Sequence, residues 1–310
     1  MPEDNTVALR FEAERPRLRA LAQRLLGSAA EAEDAVQEAW LRLARQPLGV
    51  GAADVPETAG IANLAAWLTT VVSRVCLDVL RARRETPVEQ VPEHGVQAGP
   101  EDEVVRAGEV GRALLVVLAT LSPAERVAFV LHDLFAVPFD VIAPIVDRTP
   151  VAAKKLASRA RLRVRGTPAL PEAELTRHAQ VVEAFLAAAR GGDLAELLRV
   201  LAPDVVRHAD PAALPTGAPP VLRGADAVAR GTQFFSARAA LAELALIDGR
   251  PGLILAPAGH LTAVLRITVT DGRVTAYDVI ADPARLAEVT VAMPQRTDEW
   301  LYMSLYIQLA

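Results

Sequence analysis

Residues 122–166 constrain the fold of this chain more than any other stretch. Ser122-Pro123-Ala124-Glu125 is a capping box with proline at the first helical position, so a helix begins there. A second short apolar helix is expected around Phe139–Val146. The turn Asp147-Arg148 then leads into Thr149-Pro150, another helix-start signal. The helix after it carries Lys154, Lys155, Arg159, Arg161, Arg163 and Arg165. From Arg148 to Gly166 there are seven basic residues and no acidic one, in a chain of net charge −5. Short helix, tight turn and basic helix together make a unit that can enter a DNA major groove.

Two elements of that unit are irregular. Pro144 falls inside its first helix, where an interior proline costs about 3 kcal/mol, so a short or kinked helix is expected. Asp147 stands where a turn glycine is usual, and Asp visits left-handed geometry more readily than most residues. In the basic helix, Val151, Leu156 and Ala160 are expected to turn inward, leaving Lys154, Lys155, Ser158 and Arg159 outward.

The other residues organise around this unit. Residues 9–45 read as a helical hairpin: Leu18, Leu21 and Leu25 form an apolar face, Gly27 ends the first helix, and Ser28-Ala29-Ala30-Glu31 caps the second. That second helix places Val36, Ala39, Trp40 and Leu43 on one face and Asp34, Gln37 and Glu38 on a polar stripe opposite. A third helix, about Ala65–Arg83, buries Trp67, Leu68, Val71, Val72, Val75, Val79 and Leu80, and ends in Arg81, Arg83 and Arg84, where cations suit the helix C-terminus. Between them, 46–63 is a Gly- and Pro-rich loop. Residues 85–103 hold six acidic residues, no Lys or Arg and three prolines, the composition of a solvated linker. A helix from about Glu101 to Ala119 leads into the DNA-binding unit.

Beyond Gly166–Pro171 the pattern changes. Glu172–Arg190 is an amphipathic helix closed by Gly191-Gly192, and Asp193 with Glu196 caps a short leucine-rich helix. After Pro203 the chain becomes β: Asp248-Gly249 and Asp271-Gly272 are hairpin signals flanked by the runs 241–247, 252–256, 261–270 and 273–281. Two helices followed by a curled antiparallel sheet make an α+β domain with a concave face.

Composition narrows the remaining classes. Hydrophobic content of 52% excludes general disorder. The single cysteine, Cys76, rules out an intramolecular disulfide or a cysteine-only metal cluster, and its place in an apolar helical pattern points to packing. There is no basic-then-apolar leader and no apolar run of about 18 residues, so a cytoplasmic protein that does not enter the membrane is expected, without metal or cofactor.

Three passages resemble the extracytoplasmic-function (ECF) sigma factors of the sigma-70 family. Ala32-Glu33-Asp34-Ala35-Val36-Gln37-Glu38-Ala39-Trp40-Leu41-Arg42-Leu43 is similar to the part of sigma region 2 that docks on RNA polymerase. Ala66–Asp78 is similar to its promoter-reading end, and Leu121–Arg126 through Leu156–Arg161 to region 4. The order and extent of these matches, to about residue 288, resemble the group with an appended SnoaL-like domain of the nuclear transport factor 2-like fold. Asp278–Pro283 looks like the end of that domain.

The resemblance implies two all-α sigma domains and a C-terminal α+β domain: region 2 over 1–84, an acidic linker over 85–105, region 4 over 106–167, the SnoaL-like domain over 168–290 and a tail over 291–310. It implies RNA polymerase core and promoter DNA as partners. Polymerase docking falls to Asp34, Gln37, Glu38 and Arg42. DNA contact falls to Arg148, Lys154, Lys155, Ser158, Arg159, Arg161 and Arg163 in region 4 and to Arg74, Arg81, Arg83 and Arg84 in region 2. It makes the chain a non-enzymatic transcription-initiation subunit whose C-terminal domain regulates it.

The glycine-rich motif expected in the appended domain is absent, and His208-Ala209-Asp210-Pro211 through Pro220 takes its place. SnoaL-like folds also host enzymes that use a carboxylate or histidine base. His208, Asp210, Tyr277 and Asp278 are therefore the residues that would line a small-molecule pocket, although no paired acid–base spacing stands out. An enzyme fused to a helical module and a helix–turn–helix repressor are the alternative readings. The last twenty residues, which hold Trp300, Tyr302 and Tyr306, read either as a helix over Trp300–Leu309 that seals the appended domain or contacts region 2, or as an altered end.

Overall fold

The computed structural model describes residues 2–45, 63–85, 111–233 and 235–294. The 46–62 loop, the acidic linker and the aromatic tail beyond 294 lie outside the described residues. The chain forms two compact units. The first contains described residues 2–45, 63–85 and 121–161; the second contains 111–120 and 162–294.

In the first unit, α1 (Pro2–Leu26), α2 (Ala29–Ala44) and α3 (Leu64–Glu85) pack together. Leu18, Leu21 and Leu25 are fully buried, and Gly27 stops α1 in left-handed geometry (φ 80°). Ser28 Oγ then accepts from the Glu31 amide to start α2. Arg15 and Arg19 of α1 pair with Glu33 of α2, and Arg17 of α1 reaches Thr69 Oγ1 of α3.

The buried stripe of α3 is Leu68, Val72, Cys76 and Leu80, widened by Thr69, Ser73 and Leu77. Trp67, Val71, Val75 and Val79, expected inside, are only half-buried. The hydroxyls go in because each donates to the carbonyl four residues back, Thr69 to Ala65 and Ser73 to Thr69, and so needs no water.

The capping box at Ser122 forms in full: Ser122 Oγ accepts from the Glu125 amide, and the Glu125 carboxylate accepts from the Ser122 amide and hydroxyl. It opens α5 (Pro123–Phe129), which runs on through one π-turn at Val130–Leu134. Helix α6 is only Phe139–Ile142, because Pro144 cannot continue it. Asp147 adopts φ 55°, and Thr149 Oγ1 accepts from the Ala152 amide to start α7 (Pro150–Arg165).

The second unit begins with α4 (Gly111–Ala119), followed after 162 by α8 (Glu172–Gly191) and α9 (Leu194–Val200). Its seven-stranded sheet has the order β2-β1-β6-β5-β4-β3-β7. The strands are β1 (Leu201–Ala209), β2 (Val221–Arg223), β3 (Ala242–Ile247), β4 (Arg250–Leu255), β5 (Ala263–Thr270), β6 (Arg273–Ile280) and β7 (Val291–Ala292). Among the described strands only β1 and β6 run parallel, so the sheet is mixed. Short helices α10 (Ala225–Gln233), α11 (Ser236–Ala239) and α12 (Pro283–Glu288) complete the unit.

Both Asp-Gly pairs make their hairpins with positive φ at each residue: 51° and 77° at Asp248-Gly249, 49° and 73° at Asp271-Gly272. Register places Arg207, Tyr277 and Ile267 on the inner face, where Phe185 of α8 packs with Ile267 and Tyr277, its ring centroid 5.4 Å from that of Tyr277. Glu243, Ile254, Val264 and Ile280 share the outer face with His208 and Asp278. There Glu243, 4% exposed, accepts from Arg112 Nε (2.6 Å) and from the Ala113 amide (2.9 Å), fixing the start of α4. Burial pushes its carboxyl up, and these hydrogen bonds work against that shift.

Candidate nucleic-acid interface

The basic helix α7 is seated by alanines. Ala153, Ala157, Ala160 and Val164 are fully buried, while Val151 is 67% exposed and Leu156 only half-buried, contrary to the expected inward pair. Small side chains let the α7 backbone lie close against its support, and the helical phase follows from that approach. Lys154, Lys155, Ser158 and Arg159 consequently form one exposed face, extended by Val151. Among the described residues, no ion pair engages Lys154, Lys155 or Arg159.

Other cations of the unit are committed. Arg161 binds Asp133 (2.6 Å from Nη2), tying α7 to the end of the π-turn. Arg148 donates to the Asp147 carbonyl at 2.8 Å. Arg163 is exposed on the last turn.

On α3, Arg74 Nη2 donates to the Pro144 carbonyl (3.2 Å) and Arg81 Nη2 to Asp147 Oδ2 (3.2 Å). Both acceptors lie between α6 and α7. Arg83 donates to the Leu26 carbonyl at the end of α1 and pairs with Glu31, whereas Arg84 is exposed. Arg126 joins Arg83 at that helix end, its Nη2 3.4 Å from the Arg24 carbonyl. Burial pushes the Arg126 guanidinium down to about 10, and the Arg83 charge adds to the shift. Two guanidinium groups thus meet the negative end of the α1 dipole. No local sequence signal singles out Arg126, because its partners lie on a distant helix end.

On α2, Asp34 and Gln37 are exposed, Leu41 is 40% exposed beside them, and Glu38 pairs with Arg42 one turn on (2.9 Å).

The four residues expected to share a pocket divide. His208, Asp210 and Asp278 line an open pocket of about 220 Å³ together with Arg285. Tyr277 is not among them, since adjacent strand residues point to opposite faces. It is 4% exposed, its hydroxyl 2.8 Å from Thr232 Oγ1, and burial pushes its phenol up. Asp210 serves as a latch: its Oδ2 accepts from the Ala281 and Asp282 amides, each at 3.0 Å, and its other oxygen pairs with Arg285. Burial opposes its ionisation, but the two amides and the Arg285 charge outweigh it and hold its carboxyl below the usual range. No described group of His, Cys, Asp and Glu has the arrangement of a metal site, and no described helix is long and apolar enough to cross a membrane.

Comparison with known proteins identifies the family. The model of sigma-70 region 2 matches residues 10–86, and that of sigma-70 region 4 matches residues 111–164. The chain is 40% identical over 301 residues to the ECF RNA polymerase sigma factor SigJ of Mycobacterium tuberculosis, spanning 88% of this chain and 91% of that one. It is 33% identical over 295 residues to the protein named "Probable ECF RNA polymerase sigma factor SigI" of the same species, spanning 92% and 97%. The crystal structure of M. tuberculosis SigJ aligns with 90% of this chain and 98% of that one, at 33% identity and a TM-score of 0.42. A chain that carries both sigma-70 regions in order, at 40% identity to a sigma factor along nearly its whole length, belongs to the ECF RNA polymerase sigma factors.

Proposed function

We propose that this sigma factor, a non-enzymatic cytoplasmic subunit, divides promoter recognition between α7 and α3 and docks on core polymerase through α2. The observation that carries the assignment is the α7 face: Lys154, Lys155, Ser158 and Arg159 exposed together, with the lysines and Arg159 outside any described ion pair. Such a face can make bidentate contacts to guanine edges and reach phosphates, and Val151 is placed for apolar contact with a thymine methyl. Arg148, Arg161 and Arg163 would add phosphate contacts around it, Arg161 only from beside its Asp133 pair.

In region 2, Arg74, Arg81, Arg83 and Arg84 are proposed to contact the element nearer the start site. Arg74 and Arg81 would first exchange Pro144 and Asp147 for phosphate. Exposed pairs of this kind contribute about 0–1 kcal/mol, so the exchange costs little. Asp34, Gln37, Glu38 and Arg42, with Leu41, form the proposed polymerase contact. We assign region 2 to 1–84, the linker to 85–105, region 4 to 106–167, the appended domain to 168–290 and the tail to 291–310. The appended domain is proposed to tune activity, which the grip of its Glu243 on the start of α4 supports.

Core RNA polymerase mixed with the chain, followed by selection of bound DNA from a random pool, tests this. Selection of a two-part motif that requires both components is the expected result. Selection of a single motif by the chain alone would favour a repressor. Removal of residues 170–310 should alter the yield of specific transcript, and an unchanged yield would refute tuning by that domain.

A further inference from the structure

The inner face of the C-terminal sheet holds a buried cation with no charge partner. Arg207 is 5% exposed, its Nε has no hydrogen-bond partner, and its Nη2 donates to the Pro219 carbonyl at 2.8 Å. Among the described residues no carboxylate pairs with it. Asp278 on the adjoining β6 and Glu243 on the distant β3 cannot help, because both are on the outer face. The nearest polar group on its own row, the Tyr277 hydroxyl, is already engaged with Thr232. A guanidinium removed from water and left unpaired is unfavourable by several kcal/mol, so a site that keeps one calls for an anion.

The row next to Arg207 supplies the rest of a site. Ala209, Val279, Leu265, Leu253 and Leu244 follow one another across five strands on the same face. Val279, Leu265 and Leu244 are half-buried while Ala209 and Leu253 are buried, so the row is partly open at three positions. With strands about 4.8 Å apart, the step from Arg207 to Leu265 is roughly 10 Å of apolar wall.

We propose that the concave face of the C-terminal domain binds a small amphipathic carboxylate, its head on Arg207 and its apolar body along Val279 and Leu265. A carboxylate suits the site better than a phosphate monoester, whose second negative charge would lack a partner there. The site is separate from the outer-face pocket at His208 and Asp278. Its test needs no polymerase, so its failure would leave the sigma assignment untouched.

Thermal unfolding of the full chain with sodium octanoate, octanol or sodium acetate makes the test. Octanoate should raise the unfolding midpoint with saturating dose, whereas octanol, which lacks the charge, and acetate, which lacks the body, should not. Arg207→Met should bind octanoate at least tenfold more weakly while unfolding at no lower temperature than wild type, since it removes an unpaired buried charge. Leu265→Trp, which keeps Arg207 and fills the wall, should also lose the octanoate shift, and it decides the matter if Arg207→Met does not fold. Equal shifts with octanoate and octanol, no shift at all, or a full octanoate shift in Leu265→Trp would overturn the proposal. A folded Arg207→Met of lower midpoint would likewise do so, by showing that Arg207 serves only to hold Pro219.

Discussion

Helices α3 and α7 both carry arginine-rich faces, but their cations are set in opposite circumstances. On α3, Arg74, Arg81 and Arg83 are held by a carbonyl of the 143–149 turn, by Asp147 and by the end of α1. On α7, Lys154, Lys155 and Arg159 stand exposed without a described ion pair, whereas Arg161 is tied to Asp133. Residue type is therefore a poor guide to surroundings: the same guanidinium is a strut at 161 and exposed without a described ion pair two positions earlier. The difference follows from what lies opposite each side chain. On the proposed reading, the α7 face would meet DNA directly, whereas Arg74 and Arg81 would first leave Pro144 and Asp147.

The comparison can be broken most forcefully at Arg161. Arg161→Ala leaves Asp133 without its ion-pair partner in a largely buried place, where its Oδ2 already lacks a hydrogen bond. A loss of about 2–3 kcal/mol in denaturant unfolding is expected. A change within about 0.5 kcal/mol would show that Arg161 is as free as its neighbours.

Arg159→Ala should behave in the reverse way. Its stability should stay within about 0.5 kcal/mol of wild type, while promoter affinity of the polymerase complex falls by about 1–3 kcal/mol at fixed salt. Lys154→Ala should weaken binding to all sequences alike and lower the salt slope by about 1.

Asp147→Gly sharpens the other side. It removes the carboxylate that holds Arg81 and relieves a left-handed φ of 55°. Stability should change by less than about 1 kcal/mol, and promoter complexes should form faster because Arg81 keeps only its long pair with Asp78 (3.9 Å). Slower formation would show that the Asp147 contact assists DNA entry.

Cys76 reports on the helical unit as a whole. It is the chain's one cysteine, fully buried, and burial raises its thiol from 9.0 to about 12. Because the folded state favours the protonated thiol, the stability it contributes is complete below pH 9.0 and is lost as pH rises through about 12. Alkylation at pH 8 should therefore be slow in the native chain and fast on unfolding; equal rates would contradict the packing.

Local signals in the sequence resolve into structure where the chemistry is itself local. The capping box at Ser122, the glycine stop at Gly27, both Asp-Gly hairpins and the truncation of α6 at Pro144 depend on neighbours within a few residues. Hydrophobicity ranks Val151 and Leu156 above alanine and so misplaces the phase of α7, whereas close helix approach favours Ala153 and Ala157. Tyr277 cannot share a pocket with Asp278, because adjacent residues of one strand face opposite ways, a rule that strand geometry alone supplies. Arg126, Glu243 and Arg207 carry no local signal, because their surroundings come from segments far along the chain. The polar stripe on α2 is visible from helical spacing, but the exposure of Leu41 within it is not.

Run-off transcription with core RNA polymerase on the selected promoter tests the central claim most directly. The wild-type chain and core together should yield a transcript of one defined length that neither yields alone. The Lys154→Ala/Arg159→Ala double variant should give less than about a tenth of it while still binding core. Tight operator binding by the chain alone, with no transcript when core is added, would contradict the account.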